Sequence, residues 1–377
     1  MILSDVCEFI VDCPHSTAPD EGKGYPLIRT PNVGKGRLDL NGVHRVSESV
    51  YKQRIQRGAP RANDLIFARE APAGNVALVQ ENQTVCLGQR TVLIRPNVQK
   101  VNPQYLVYYL LSPKPQYELL GTANGATVAH VNLPAIRNLK IELPEKSVQD
   151  KIGTILVTYD DLIENNQKQI KLLEEAAQRL YKEWFVDLRF PGHENTKIVD
   201  GVPEGWHRGT IGQIAEFKRG RTITKAQVKE GNVPVIAGGL EPAYYHNVAN
   251  TKAPVITISA SGANAGFVRL YGVDVFASDC SFVDGLGTES LFFVYEFLKE
   301  SKVSIDQLQK GSAQPHVYAK DINAMKITIP EKEYLERFDR YAKVYFNKIK
   351  TLQGQNERLK TARDLLLPKL MSGEAEV

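Results

Sequence analysis

The chain repeats itself, and the repeat narrows the folds open to it more than any other feature. The run Asn138-Leu-Lys-Ile-Glu-Leu-Pro-Glu-Lys146 returns as Ala324-Met-Lys-Ile-Thr-Ile-Pro-Glu-Lys332, with five of nine positions identical at an offset of 186. His130-Val131 falls on His316-Val317 at the same offset. Val6-Cys7-Glu8-Phe9 matches Ile214-Ala215-Glu216-Phe217 at an offset of 208, and the stretch 65–76 resembles 257–268 at 192. Three matches in one order imply two copies of one unit. The shift from 208 to 186 makes the first globular half longer by 22 residues.

Each half reads as a mixed α/β globule. Short β-rich runs at 25–29, 64–68, 75–79, 91–95 and 139–143 are punctuated by Gly, Pro and Asn, and a helix with Pro in its first turn is predicted over 103–111. The second half repeats the mixture, with strands at 233–236, 255–259, 266–270 and 326–329 and a helix over 291–299.

Between and after the halves the pattern changes. Residues 145–186 hold no Pro and one Gly, with apolar residues at Ile152, Ile155, Tyr159, Leu162, Leu173, Ala177, Leu180 and Trp184. Residues 331–367 carry the same rhythm at Leu335, Phe338, Ala342, Tyr345, Ile349, Leu352, Leu359 and Leu366. Spacings of three and four make a coiled-coil-like seam. The 42 residues of the first stretch would span about 63 Å as one helix, more than a small domain is wide. Each such helix needs a partner, and the other is the obvious one; an antiparallel pair would put the globules at opposite ends. Asn166 and Asn356 fall at or near seam positions, either as buried register-setting polar residues or on a wetted face. Gly354 costs about 1 kcal/mol relative to Ala inside a helix and marks a kink, a close crossing or neither.

The usual catalytic signatures are missing. The chain has no Asn/Asp-Pro-Pro-Tyr/Phe run, no phosphate loop and no GxSxG elbow, and neither Gly34-Lys35-Gly36 nor Gly285-Leu286-Gly287 extends to GxGxxG. Cys7, Cys13 and His15 lack zinc-ligand spacing, so no metal is expected. Four cysteines in 377 residues suggest no disulfide framework and point to a reducing cytoplasm. No run of about 18 apolar residues exists to cross a membrane. The net charge of +4 permits nucleic-acid binding without demanding it. It divides unevenly: +4 over residues 1–144, −2 over 145–186, zero over 187–330 and +4 over 331–370. A duplicated globule with a helical spacer and no catalytic constellation argues for a binding or scaffold protein.

Two variable halves, each ending in a Lys-Ile-x-apolar-Pro run and followed by a long helix, resemble the specificity subunit of a type I restriction-modification system. Residues 178–192, Gln-Arg-Leu-Tyr-Lys-Glu-Trp-Phe-Val-Asp-Leu-Arg-Phe-Pro-Gly, resemble the end of that family's central conserved region. Val202-Pro-Glu-Gly-Trp206 resembles the opening of its second target-recognition domain, and Leu365-Leu-Leu-Pro-Lys-Leu-Met-Ser-Gly373 its C-terminal conserved region. The first half lacks the Pro-x-Gly-Trp opening, which leaves its N-terminal edge short or capped by the C-terminal tail.

The resemblance implies a mixed α+β fold with a pseudo-two-fold repeat: target-recognition domain 1 over 1–144, a central spacer helix over 145–186, a linker and target-recognition domain 2 over 187–330, and a second spacer helix and tail over 331–377. It implies a non-catalytic subunit that reads a bipartite asymmetric site on double-stranded DNA. The helix pair would set the spacer and dock two methyltransferase subunits that modify adenine N6. S-adenosylmethionine, ATP and magnesium would belong to those partners and to motor-nuclease subunits, with none bound by this chain. The competing reading is a coiled-coil scaffold that binds no DNA.

Base edges are read by Arg and Lys on guanine, Asn and Gln on adenine, and Ser and Thr on either. The candidate DNA contacts in the first half are Arg29, Thr30, Asn32, Lys35, Arg37, Arg69, Gln89, Arg90, Asn124 and Thr127. In the second half they are Lys218, Arg219, Arg221, Ser259, Ser261, Asn264, Ser281 and Gln314. His130 and His316 match in the repeat and are either DNA contacts or capped structural histidines.

Overall fold

A computed structural model describes residues 1–121, 130–311 and 315–377. The chain divides into two compact units. Unit 1 comprises Met1–Asn165 and Gln355–Val377, and unit 2 comprises Asn166–Gly354. The strands of unit 1 are β1 (Cys7–Asp12), β2 (Tyr25–Ile28), β3 (Gly36–Arg37), β4 (Arg45–Val46), β5 (Leu65–Ala68), β6 (Val76–Leu78), β7 (Cys86–Leu87) and β8 (Thr91–Pro96). Those of unit 2 are β9 (Ile198–Val199), β10 (Val202–Pro203), β11 (His207–Thr210), β12 (Lys218–Arg219), β13 (Val233–Ile236), β14 (Tyr244–His246), β15 (Val255–Ser259), β16 (Val268–Tyr271), β17 (Phe276–Ala277), β18 (Cys280–Asp284) and β19 (Lys326–Ile329). The helices are α1 (Glu48–Arg54), α2 (Pro103–Leu111), α3 (Pro113–Gly121), α4 (Leu133–Arg137), α5 (Lys146–Tyr181), α6 (Leu291–Glu300), α7 (Lys302–Gln307), α8 (Ala319–Asn323) and α9 (Lys332–Ser372).

The duplication holds at the level of topology. The larger sheet of unit 1 runs β1-β8-β5-β6-β3 and that of unit 2 runs β12-β18-β15-β16. Beside each lies a three-stranded sheet, β4-β2-β7 or β14-β13-β17, in which the middle strand pairs antiparallel on one side and parallel on the other. Individual hydrogen bonds recur: Gly88 N–H donates to Ile28 O and Ser278 N–H to Ile236 O, both at 2.8 Å. The strand predicted over 139–143 is reduced to one bridge between Ile2 and Lys140, whereas its counterpart β19 pairs with the four residues of β11.

Strand pairing corrects the sequence alignment by one residue. Ala68 faces Thr91 and Ser259 faces Cys280, so β5 falls on β15 at an offset of 191, not 192. A slip of one would exchange the two faces of the strand. Leu65 and Phe67 enter one core and Ile66 and Ala68 the other, as Ile256 and Ile258 enter one core and Val255 the other. With both faces covered, these strands read as continuous apolar runs.

The long helices supply one wall of each unit. In unit 1, early turns of α5 (Ile152, Leu156) share a core with Leu370 of α9. In unit 2, late turns of α5 (Ala177, Tyr181) share a core with early turns of α9 (Leu335, Phe338, Ala342). Within unit 1 the pairing is antiparallel: Lys151 reaches the Val377 carbonyl and Asp160 meets Arg363.

The buried stripe of α5 departs from the apolar reading. Leu156, Asp160, Ile163, Asn166 and Tyr181 are buried, while Leu162 is exposed. Asn166 and Asn356 are both buried, which removes the wetted-face reading. A Cβ on Gly354 would meet nothing within 4 Å, so no close crossing occurs there. Two boundaries also shift. The α-helical geometry ends at Tyr181, and Lys182–Val186 form a π-helical turn. That turn directs Trp184 and Phe185 into an aromatic cluster with Phe190, Trp206 and Phe338, with the Phe190 and Trp206 rings 4.7 Å apart. Helix α9 runs through Pro368 to Ser372 because Leu370 is anchored in the core of unit 1.

Position 153 on α5 and position 339 on α9 are equivalent at the offset of 186, and they meet equivalent helix ends in different ways. In unit 1, Asn102 caps α2 by accepting from Gln104 and Tyr105 N–H at 2.7 and 3.1 Å. A Cβ on Gly153 would lie 3.0 Å from the Tyr105 nitrogen, so glycine admits the close approach. In unit 2, Asp339 itself caps α6, accepting from Phe293 and Phe292 N–H at 2.9 and 3.2 Å.

Candidate nucleic-acid interface

At one end of the larger sheet of unit 1, the turns after β1, after β5 and before β8 converge with His130. Arg69 is the hub. Its Nε donates to Val131 O at 2.8 Å, Nη1 pairs with Asp12 Oδ2 at 2.8 Å, and Nη2 meets His130 Nε2 at 2.7 Å. Guanidinium only donates, so His130 Nε2 accepts and its Nδ1–H is left to donate to Glu70. Burial, and then the charges of Arg69 and Arg90, hold the His130 pKa below its usual 6.5 and favour this neutral form. Glu70 also pairs with Arg90, whose side chain is more than half exposed. Gln89 donates to His15 O at 3.1 Å, and His15 pairs with Asp12 at 3.2 Å. Arg69, Gln89, Arg90 and His130 are therefore brought together, on supports (Asp12 and Glu70) that the sequence reading overlooked.

The other candidates of unit 1 lie on the β2–β3 segment. Lys35 is exposed, and Arg29 and Thr30 are half-buried. Asn32 is buried and holds the loop: its Oδ1 accepts from Arg29 N–H at 3.1 Å and its Nδ2 donates to Asp39 O at 3.2 Å. Arg37 is engaged by Asp161 on α5. Both therefore act inside the unit, since short polar side chains in tight turns satisfy local backbone groups first. Asn124 and Thr127 lie outside the described residues.

Unit 2 builds the matching end differently. Lys218, Arg219 and Arg221 are exposed on and just after β12. Ser261 donates to Asp279 Oδ2, and Asn264 Nδ2 to Gly238 O at 3.4 Å. His316 exchanges backbone hydrogen bonds with Lys310 and stacks on Tyr318, their rings 6.0 Å apart and 15° from parallel. Two candidates turn inward. Ser259 is buried with its hydroxyl donating to Gly238 O at 3.2 Å, and Ser281 is buried within β18 between Lys218–Arg219 and Ile258 of its neighbours. Ser259 and Ser281 lie on the inner strands β15 and β18, where both are buried away from solvent. Gln314 lies outside the described residues.

Among the described residues no cluster of three or more His, Cys, Asp or Glu side chains could hold a metal ion, and no helix is long and apolar enough to cross a membrane. The four cysteines are unpaired, and burial pushes the thiols of Cys7, Cys86 and Cys280 up to about 12, 11 and 12.

The family model for the type I restriction modification DNA specificity domain matches residues 1–175 and again 203–361. The chain is 28% identical over 362 residues to the type I restriction enzyme MjaIX specificity subunit of Methanocaldococcus jannaschii, covering 89% of this chain and 83% of that one. It is 26% identical to the putative MjaX specificity subunit of the same organism, over 100% and 93% of the two chains. It is 22% identical to the HindI specificity subunit of Haemophilus influenzae, over 84% and 87%. The crystal structure of the type I restriction-modification S subunit from M. genitalium superposes with a TM-score of 0.61 at 18% identity, covering 98% of this chain and 95% of that one. This likeness extends to the two-domain, long-helix architecture. The chain belongs to the type I restriction-modification DNA specificity family and is the non-catalytic, DNA-recognising specificity subunit of such a system.

Proposed function

We propose that each unit reads one half of a bipartite, asymmetric DNA site. One observation carries this reading: a common four-strand order, with recurring backbone hydrogen bonds, is built twice, but the loops at its end present different side chains. Arg69, Glu70, Gln89, Arg90 and His130 stand in unit 1 where Ser261, Asn264, Asp279 and His316 stand in unit 2. Equal scaffolds with unequal loops suit a reader of two unlike half-sites. Exposed Lys35, Lys218, Arg219 and Arg221 would meet phosphates, which position a protein on the duplex without choosing sequence.

On this reading helices α5 and α9 form the spacer. The 36 residues of α5 correspond to about 54 Å of helix, the length of about 16 base pairs. Their outer faces dock two methyltransferase subunits, which bind S-adenosylmethionine and methylate adenine N6. Motor-nuclease subunits, with ATP and magnesium, join to restrict unmodified DNA. Residues 187–330 carry no net charge, so partners contribute much of the grip on phosphates and the isolated chain binds DNA weakly.

The test is to co-express the chain with its methyltransferase in a host free of adenine methylation and map the modified adenines. A motif of two short elements separated by unspecified bases is expected. An unmodified genome, or one continuous motif, would contradict the reading and favour a scaffold without DNA binding.

A further inference from the structure

The residue immediately before β8 in unit 1 and the residue immediately before β18 in unit 2 occupy an equivalent place in the two larger sheets. In unit 1 this is Arg90, whose carbonyl accepts from Arg69 N–H at 2.9 Å. In unit 2 it is Asp279, whose carbonyl accepts from Ala260 N–H at 3.2 Å. The neighbouring bond recurs too: Val131 N–H donates to Arg69 O and Val317 N–H to Ala260 O, both at 3.0 Å. The backbone frame is shared, yet the side chains carry opposite charge.

Each side chain has a partner in its own unit, Glu70 for Arg90 and Ser261 for Asp279. Arg90 is exposed and holds a left-handed backbone, φ 64°, which costs energy for a residue with a Cβ. Glu70 pairs with Nη1 of its guanidinium, and the Arg90 side chain is more than half exposed. Asp279 is half-buried and its Oδ2 accepts from the Ser261 hydroxyl. Among the described residues no Lys, Arg or His pairs with it, although Arg219 and Arg221 project from the adjoining strand and loop. A carboxylate on a face otherwise suited to phosphates weakens DNA binding, unless it accepts a hydrogen bond from a base. In the major groove the donor that Asp or Glu takes is the cytosine N4 amino group, whereas Arg takes guanine O6 and N7.

We infer that this shared position selects the base class of each half-site, with Arg90 donating to guanine in one and Asp279 accepting from the cytosine amino group in the other. The inference rests on the two-half-site reading above. It assigns Asp279 as a specificity-determining residue and Glu70 and Ser261 as the groups that position the two selectors.

Methylated-adenine maps of the co-expressed complex test it. With Asp279→Ala, one G·C position in the second half-site should lose about ten- to hundredfold discrimination, while the first half-site and the spacer stay unchanged. Arg90→Ala should do the same at one G·C position of the first half-site. The unaltered half-site in each map reports that the complex still folds and assembles. If Asp279→Ala fails to assemble, Asp279→Thr, which keeps a small polar group without the carboxylate, carries the test. Relaxation at an A·T position, or a second half-site read as before, would overturn the inference while leaving the bipartite reading in place. A wild-type complex without a bipartite motif would overturn both.

Discussion

The Tyr108 hydroxyl, on α2, donates to Asp160 Oδ2, on α5, across 2.6 Å. Arg363 of α9 takes the other carboxylate oxygen of the same buried aspartate. Gly36 of β3 lies so close that a Cβ there would fall 2.6 Å from Asp160 Oδ2. One carboxylate thus joins the globule of unit 1 to both of its helices. Removing Asp160 strands the buried Tyr108 hydroxyl and leaves Arg363 with only the exposed Asp364 as its ion-pair partner. Asp160→Ala should lower the stability of unit 1 by about 3 kcal/mol or more, and Tyr108→Phe, which loses one hydrogen bond, by about 1 kcal/mol. Chemical denaturation of the two variants checks the order; equal losses would contradict it.

Unit 2 should lose stability as pH rises. Burial pushes the Glu296 carboxyl up to about 8 and that of Asp339 up to about 7. Around Glu296 stand Glu174 and Glu300, which oppose its ionisation, and Lys299, which favours it. The folded state therefore keeps protons that the unfolded chain has released above about pH 4.5. The contribution of these two groups to stability is greatest below that pH and declines toward about pH 8. Glu296→Gln should match the wild type at pH 5 and melt higher at pH 9. A variant advantage that does not grow with pH would contradict the assignment.

Gly354→Ala should stabilise the protein by about 1 kcal/mol, since a Cβ there meets nothing within 4 Å and helix α9 continues through the position. Thermal melting reads this directly; a loss of stability would show that the glycine serves a bend.

Arg69→Ala should abolish reading of one half-site and spare the other. The side chain is buried among Asp12, Val131 and His130, so its loss releases the loops that carry Glu70 and Arg90. Methylation mapping is expected to keep the second half-site and the spacer. Loss of both half-sites together would show that the units are not independent readers.

Much of the scaffold was legible because it obeys local rules. The spans of α2, β13, β15 and β19 follow from a Pro at the first helical turn and from apolar runs bounded by Gly and Pro. What escaped involved polar residues in apolar roles. Asp160 and Asn166 sit in the buried stripe of α5, so an apolar-only seam settles on Leu162 in place of Ile163. The candidate site was legible as a set of loops and less so as residues. Arg37 and Asn32 look like readers until Asp161 and the backbone of Asp39 claim them. Asp279 was missed because its equivalence to Arg90 in the repeat emerges only from the strand pairing.

The most direct test of the account lengthens the spacer. Four residues inserted between Glu164 and Ala176, with four to match after Gly354, add about one helical turn, or about 6 Å. Methylated-adenine mapping of the assembled complex should return both half-sites unchanged, with about two more base pairs between them. Altered half-sites at the original spacing would contradict the division of the chain into two readers and a ruler.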